Sequence, residues 1–186
     1  TALPTGLGGS QVLITTTTIT NGATSVIFSD LNVYAVYKVE FIRLRHSTAG
    51  GAYLLYQAGT SSSSFITSSS YGGTRNRQVH SQNNNTGTDD TNGVTQAYIG
   101  YHSDDWKGDA NHYLDGHCYI YGQAGDNANQ YPRIQFSVGS TTISNSRQAF
   151  IDGANYVNTS STCTSAKFYL STGTFTAGKM KLYGIS

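Results

Sequence analysis

The chain has 186 residues and a mass of 19.9 kDa, which is enough for one domain with a substantial apolar core. Only 11% of the residues are charged, against about a quarter in an average globular protein, and the net charge is +1. This composition excludes a helical bundle, a coiled coil and a membrane-spanning protein. The small net charge provides no long-range field that would attract nucleic acid or an anionic membrane to the protein. Thr, Ser, Gly and Asn supply 80 residues, while 37% apolar and 12% aromatic residues argue against disorder.

Short β-strands separated by turns are predicted along almost the whole chain. Residues 1–10 are Gly-rich and predict an N-terminal arm, and residues 11–186 predict a single domain. Turn signals recur about every ten residues, which is typical of a sandwich or barrel. We therefore predict an all-β jelly-roll sandwich or barrel of eight to ten short antiparallel strands. The predicted strand segments are 11–20, 26–28, 36–45, 52–57, 65–67, 94–101, 113–121, 133–138, 148–151, 166–170 and 180–183.

Two segments invite more specific predictions. Residues 82–93 contain no hydrophobic residue and predict a loop. In the longest alternating segment, 36–45, strict alternation places Leu44 on one face with Lys38 and Glu40. Lys38 and Glu40 then predict a surface cross-strand ion pair, and the mixed faces of this strand suggest an oligomer contact.

The two cysteines, Cys118 and Cys163, do not form a C-x-x-C motif, so zinc-ribbon or thioredoxin-like chemistry has no support. Cys118 lies in an apolar strand and is expected to be buried, and whether the two cysteines form a disulfide stays open. The start of the chain lacks the basic and apolar regions of a signal peptide. Because Thr1 is small, it fits removal of an initiator Met, and we expect a complete short protein.

Several predicted strands carry Tyr and Thr where a monomer would present charges, notably 94–101, 113–121 and 136–143. Interface cores are depleted in charge and enriched in Tyr. The pattern favours a domain that contacts copies of itself or a larger assembly. The alternative is a monomeric sandwich of the kind found among secreted Thr- and Tyr-rich proteins.

The C-terminal region carries the one family resemblance. A strand at 164–170 is followed by Gly173-Thr-Phe-Thr-Ala-Gly178 and a closing Leu182-Tyr-Gly-Ile185. This arrangement resembles the end of small tailed-bacteriophage virion proteins with a trimeric jelly-roll fold, and the Trp- and Asn-containing loop that leads into the aromatic strand at 106–121 is similar to the same group. Together the two parts cover about 40 of the 186 residues. The resemblance implies either capsid decoration or a fibre tip that binds host glycans.

The terminal motif can also be interpreted from its residues alone. Gly173 and Gly178 bracket a turn that needs positive φ. Phe175 at the tip is expected to cap the end of the barrel, and Tyr183 to face away from the core. Gly184 leaves room for a ring or another backbone to approach closely.

Catalytic and metal-binding patterns are weak. His112 and His117, with nearby aspartates, do not provide three or four converging ligands, and Asp89-Asp90 lacks the spacing of a calcium loop. The run at 101–105 contains His, Ser and Asp in succession, but consecutive residues cannot aim at one reacting atom. We predict no metal, no cofactor and no enzymatic activity. A saccharide-active enzyme using Glu40 or Asp104 is the third and least favoured hypothesis.

Arg75 and Arg77 alternate beside Tyr71, a minimal pattern for stacking on bases and contacting phosphates. With so small a net charge, an arginine pair at a protein interface is the preferred interpretation, and no nucleic acid or membrane partner is predicted.

The predicted function is non-catalytic: a homotrimeric bacteriophage decoration (cement) protein that is made in the host cytoplasm and clamps the major capsid protein on the outer capsid surface. A domain with only a short arm, and with no shaft repeat, favours decoration over a fibre. The alternative is a receptor-binding fibre tip, with Trp106, Tyr113 and the Asn-rich loops contacting host-surface glycan. Candidate assembly or ligand contacts are Arg75, Arg77, Trp106, Tyr113, Phe175 and Tyr183.

Overall fold

The computed structural model describes residues 10–80, 85–100, 106, 108, 112–122, 131–142 and 148–186. Twelve β-strands and no helix occur within these ranges. The strands are β1 (Gln11–Thr18), β2 (Ser25–Phe28), β3 (Val36–His46), β4 (Leu54–Gly59), β5 (Tyr71–His80), β6 (Asn85–Val94), β7 (Ala97–Tyr98), β8 (His112–Tyr121), β9 (Arg133–Thr142), β10 (Gln148–Val157), β11 (Ser165–Leu170) and β12 (Phe175–Ile185). In the described part of the chain, no helix is long and apolar enough to cross a membrane.

The strands form two antiparallel sheets. The large sheet has the order β1-β12-β3-β8-β9-β10-β5-β6, and the small sheet has the order β2-β11-β4-β7. The core lies between them, because Phe168 of the small sheet packs against Phe41 of the large sheet with ring centroids 5.5 Å apart. Phe28 and Tyr56 contact the same ring at 6.1 and 5.7 Å. The predicted all-β, jelly-roll-like sandwich is confirmed, with more strands than the predicted eight to ten.

A β-bulge in β3 changes which of its side chains face the core. Tyr37, Val39 and Phe41 point inward, and the register with β8 then shifts between Phe41 and Leu44. Arg43 adopts a φ of 50°, and its backbone N–H donates to Oδ1 of Asp115 at 2.6 Å. Beyond the bulge Leu44 is fully buried. The prediction that Leu44 shares a face with Lys38 and Glu40 is therefore wrong, because one inserted residue reverses the alternation.

The segment predicted as a loop at 82–93 is a strand from residue 85 onward. Strand β6 pairs with β5 along almost its whole length, with Arg75 opposite Asp89 and Thr74 opposite Asp90. Residues 82–84 lie outside the described ranges. An edge strand needs backbone partners on one side only, and Thr favours strands, so a polar segment can pair without apolar side chains.

Two further predicted strands are shorter than expected. Phe65 forms only an isolated bridge with Gly59, and no strand extends over 65–67. Of the predicted 94–101 strand, Val94 closes β6 and Ala97–Tyr98 form β7, while Tyr101 lies outside the described ranges. Residues 1–9 of the predicted arm lie outside them as well.

The last two strands belong to different sheets, because β11 lies in the small sheet and β12 in the large sheet, so their connection crosses the sandwich and forms no hairpin. Gly173 lies in this connection with a φ of 74°, as predicted. Gly178, with a φ of 119°, lies inside β12 at a register shift, so the prediction that it closes the turn is wrong. Phe175 is the first residue of β12 and is completely buried, and its backbone N–H donates to the carbonyl oxygen of Ala23 at 2.8 Å. The ring of Tyr34 lies where a Cβ at Gly184 would stand, which explains the glycine in the closing strand.

Cys118 and Cys163 are both buried and form no disulfide. Burial raises the pKa of the Cys163 thiol to about 11, and burial likewise raises the pKa of Cys118. Both thiols are therefore protonated at neutral pH, and they act as small apolar side chains in the core.

Candidate functional site: an aromatic face on the large sheet

The six residues predicted from the sequence do not form one site. Trp106 is 1% exposed, and its Nε1–H donates to the Leu44 carbonyl oxygen at 3.2 Å. The ring of His46 meets the indole edge-on at 4.5 Å, and its Nε2 lies 2.9 Å from the Trp106 carbonyl oxygen. This indole fills the core, so the predicted stacking of Trp106 on a sugar does not fit its placement.

Arg75 connects the two sheets from inside the sandwich. It is 8% exposed, and its guanidinium lies 5.6 Å from the ring centroid of Tyr53 and 5.2 Å from that of Tyr98. Its Nη1 donates to the carbonyl oxygen of Gly100 at 3.2 Å. Arg77 lies two residues further along the same face of β5 and is half-buried. Arg75 therefore supports the sandwich itself, and its buried position differs from the predicted place at a protein interface.

Tyr113 and Tyr183 are half-buried on the outer face of the large sheet. The Tyr113 ring lies beneath the guanidinium of Arg43 at 5.6 Å. The Tyr183 hydroxyl donates to Oε2 of Glu40 at 2.9 Å, and Lys38 Nζ lies 2.8 Å from the other carboxylate oxygen. The predicted ion pair exists, but it runs along β3 and not across strands.

The setting of Glu40 bears on the enzyme hypothesis. The hydrogen bond from Lys38 is the main reason that the pKa of Glu40 lies below its usual value, and the Tyr183 hydroxyl contributes in the same direction. A general acid for sugar hydrolysis needs a raised pKa. Glu40 is therefore poorly suited to that role, and Asp104 lies outside the described residues.

A different group of side chains gathers on the outer face of β8, β9 and β10. We call it the aromatic face, and its members are Tyr119, Tyr121, Tyr131, Arg133, Gln135, Phe150 and Tyr156. Strand alternation produces it, because Cys118, Ile120, Ile134, Phe136 and Ile151 point into the core. Tyr131, Phe150 and Tyr156 are among the most exposed large apolar side chains of the described chain.

A groove of about 360 Å³ runs through the aromatic face. Tyr121, Arg133 and Tyr156 are direct neighbours across three strands, so the two rings flank the guanidinium. The next row has Gln135 beside Ala154, whose small side chain leaves the groove open. Arg133 lies 5.7 Å from the ring centroid of Tyr121.

Hydrogen bonds and ring contacts hold this groove in shape. The Tyr121 hydroxyl donates to Oε1 of Gln135 at 2.9 Å, which leaves the amide NH₂ of Gln135 to face a ligand. Partial burial raises the pKa of Tyr121, so its hydroxyl stays protonated at neutral pH. Tyr156 lies over Gly72, where a Cβ would meet its ring atoms at 2.8–2.9 Å, and stacks obliquely on Tyr131 at 6.4 Å.

The residues that line the groove define what it can do chemically. They supply aromatic faces, a guanidinium and the side-chain amides of Gln135 and Asn155, and none of them carries a carboxylate. Such a set can bind by stacking and hydrogen bonding, but it offers no acid–base pair for hydrolysis. Sequence reasoning missed these residues because each is unremarkable in its own strand. The alternation of Tyr119 and Tyr121 with Cys118 and Ile120 was the one available signal.

The edge of the large sheet forms a second exposed feature. Among the described strands, β1 pairs with β12 alone, and β1 contains no charged residue. Leu13 and Ile14 are 52% and 45% exposed. Edge strands of monomeric proteins usually carry charges or prolines that block further pairing. This bare edge is therefore suited to being covered by another chain.

Among the described residues, no three or more His, Cys, Asp or Glu side chains cluster in a way that could hold a metal ion. His112 is buried, whereas His117 is half-buried on the outer face and contacts the Tyr119 ring at 5.3 Å. Strand alternation separates the two histidines, because five residues along a strand reverse the side. The run at 101–105 lies outside the described ranges.

The chain was compared with known proteins at three levels. No family model matches it, and no curated protein matches its sequence. Among solved structures, it is similar to CG-16, a homodimeric agglutinin from chicken liver, with 12% sequence identity and a TM-score of 0.33. That alignment covers 85% of this chain and 98% of the agglutinin, and a TM-score this low supports no argument about ligand or assembly.

Proposed function

We propose that this chain is a non-catalytic bacteriophage virion protein that acts as a homotrimer and decorates the outer capsid surface, where it clamps the major capsid protein. The observation that carries the proposal is the aromatic face on β8, β9 and β10. Its exposed tyrosines and single arginine have the composition of an interface core, where Tyr and Arg are enriched and Lys and Glu are depleted.

The bare edge of β1 supports the same proposal. The aromatic face and this edge lie on different strands of one sheet, so one chain can contact two neighbours at once. A standard interface removes about 1,600 Å² from water, and repeated copies on a shell add these contributions. Decoration would thus strengthen a capsid through many moderate contacts and would require no chemistry.

Co-sedimentation with capsids tests this proposal. Purified protein is mixed with undecorated capsids of the phage that encodes it, and binding is measured over a range of protein concentrations. We expect near-stoichiometric binding by the wild type and a loss of affinity of at least about tenfold in a Tyr121→Ala/Tyr156→Ala double variant. Tyr169→Ala, on the outer face of the small sheet, is the matched control and should bind normally. Failure of the wild type to bind capsids would refute decoration.

The groove favours a second candidate, a receptor-binding tip that recognises host-surface glycan. Tyr121 and Tyr156 can stack on sugar rings, while Gln135 and Arg133 can bond their hydroxyls. In this case free protein should block infection, and Tyr156→Ala should reduce the block at least about tenfold. The Tyr169→Ala control should block as the wild type does. Equal inhibition by both variants, or none by the wild type, would contradict glycan binding in the groove.

A further inference from the structure

A second concavity lies on the large sheet, far from the aromatic face. It is formed where β1 and β3 end and β12 begins, and its volume is about 480 Å³. We call it the bulge pocket. Three cationic side chains line it: Arg43 and Arg45 from β3 and Lys179 from β12. Thr18 adds a hydroxyl, while Ile19, Ile42 and Ala177 provide apolar surface.

Irregularities in two paired strands bring these cations together. The register between β12 and β3 shifts twice, between Phe175 and Ala177 and again between Ala177 and Lys179. Gly178 has a φ of 119°, and a Cβ at this position would lie 2.8 Å from the Arg43 carbonyl oxygen. Bulges are common beside binding sites because they redirect side chains. Here the bulge of β3 turns Leu44 into the core, so that Arg43 and Arg45 on either side of it face the concavity.

The cations of the bulge pocket have no acidic counterpart among its lining residues. The ion pair between Lys38 and Glu40 lies on another part of β3 and includes none of these cations. Asp115 lies near Arg43, but its carboxylate accepts the backbone N–H of Arg43 and pairs with none of the three cationic groups. Three like charges around one concavity repel each other, and an anion would relieve that repulsion.

We propose that the bulge pocket binds an oxyanion, a carboxylate or phosphate group carried by an anionic ligand. Two guanidinium groups offer planar, paired donors that match both kinds of anion, and Lys179 adds a third positive charge. The Thr18 hydroxyl can donate a further hydrogen bond. Ile42 and Ala177 suit the carbon skeleton that bears the anion. This site is independent of the aromatic face and of its proposed partner.

Titration of the protein with small anions tests the proposal. Backbone amide signals of isotope-labelled protein are followed by NMR at constant ionic strength while inorganic phosphate, glucuronate or neutral glucose is added. We expect saturable shifts with at least one anion, confined to residues around 18, 42–45 and 177–179, and none with glucose. Shifts with phosphate alone identify a phosphate ligand, and shifts with glucuronate alone identify a carboxylate.

Charge-removing variants locate the site. An Arg45→Gln/Lys179→Gln double variant should bind the anion at least about tenfold more weakly, since hydrogen bonds to charged groups are lost. Lys181→Gln is the matched control, because Lys181 lies on the same strand but interacts electrostatically with Glu40. Absence of saturable shifts in the wild type up to about 10 mM anion, or equal weakening in both variants, would refute the site. The wild-type shifts decide the question even if the double variant does not fold, and no capsid is involved.

Discussion

Replacing Trp106 with Ala is expected to lower the free energy of unfolding by about 3–5 kcal/mol, because a large buried ring is removed from a packed core. The indole is 1% exposed, and it bridges β3 through the hydrogen bond from Nε1 to Leu44 and the edge-on contact with His46. Both contacts lie just beyond the bulge of β3, so the substitution should also destabilise the end of β3 that follows the bulge. Urea unfolding followed by circular dichroism measures this change. Tryptophan fluorescence is unsuitable, because Trp106 is the sole tryptophan of the chain and the variant lacks it.

Trp106→Phe separates the contribution of the buried ring from that of the Nε1–H hydrogen bond. Phenylalanine retains much of the apolar volume and loses the Nε1–H donor, so the expected loss is smaller, about 1–3 kcal/mol. A Trp106→Ala protein as stable as the wild type would contradict the buried placement. It would return the indole to the surface, where stacking on a ligand becomes possible.

The second large effect is expected at Gly116, which lies opposite the bulge of β3. Its φ is 145°, and a Cβ there would overlap the Ser137 carbonyl oxygen and lie 2.7 Å from the Val138 Cα. Both neighbours are backbone atoms of a central strand, so they cannot move aside as a flexible side chain would. Gly116→Ala should therefore cost about 3 kcal/mol or more, from backbone strain and overpacking together.

Gly139→Ala is the control for this substitution. Gly139 lies on the adjacent strand β9, and a Cβ there would meet only the Ala149 carbonyl oxygen, at an ordinary 3.6 Å. Its substitution should change the unfolding free energy by less than about 1 kcal/mol. Equal stability losses at the two glycines, measured by the same urea unfolding, would contradict the backbone geometry described for the bulge.

Local residue patterns were sufficient to predict much of the fold. Alternation identified β3 and β8, and Gly173 identified the connection between β11 and β12 with its positive φ. Two elements could not be predicted in this way. The bulge at Arg43 has no local signal, because it depends on the partner residues Asp115 and Gly116 in another strand. Strand β6 depends on pairing with β5, which supplies backbone partners that its own polar residues do not reveal.

The candidate site was harder to predict than the fold. Trp106 and Arg75 are residue types that interfaces favour, and sequence alone does not tell whether such a side chain points outward. In the structure both are buried, whereas the half-buried Tyr121 and the exposed Tyr156 line the groove on the outer face. They come from strands far apart in the chain and become neighbours only through the β8-β9-β10 pairing. A surface built across strands in this way requires the register, which composition and periodicity do not supply.

The mass of the protein in solution tests most directly whether its exposed β surface is made to be covered by other chains. Sedimentation equilibrium over a wide concentration range should give about 60 kDa, three times the 19.9 kDa of one chain, for the wild type. The Tyr121→Ala/Tyr156→Ala variant and a Leu13→Lys variant at the bare edge are expected to shift mass toward the single chain if their surfaces form the contacts. A wild-type protein that stays at 19.9 kDa at every concentration would contradict the trimer on which the account depends.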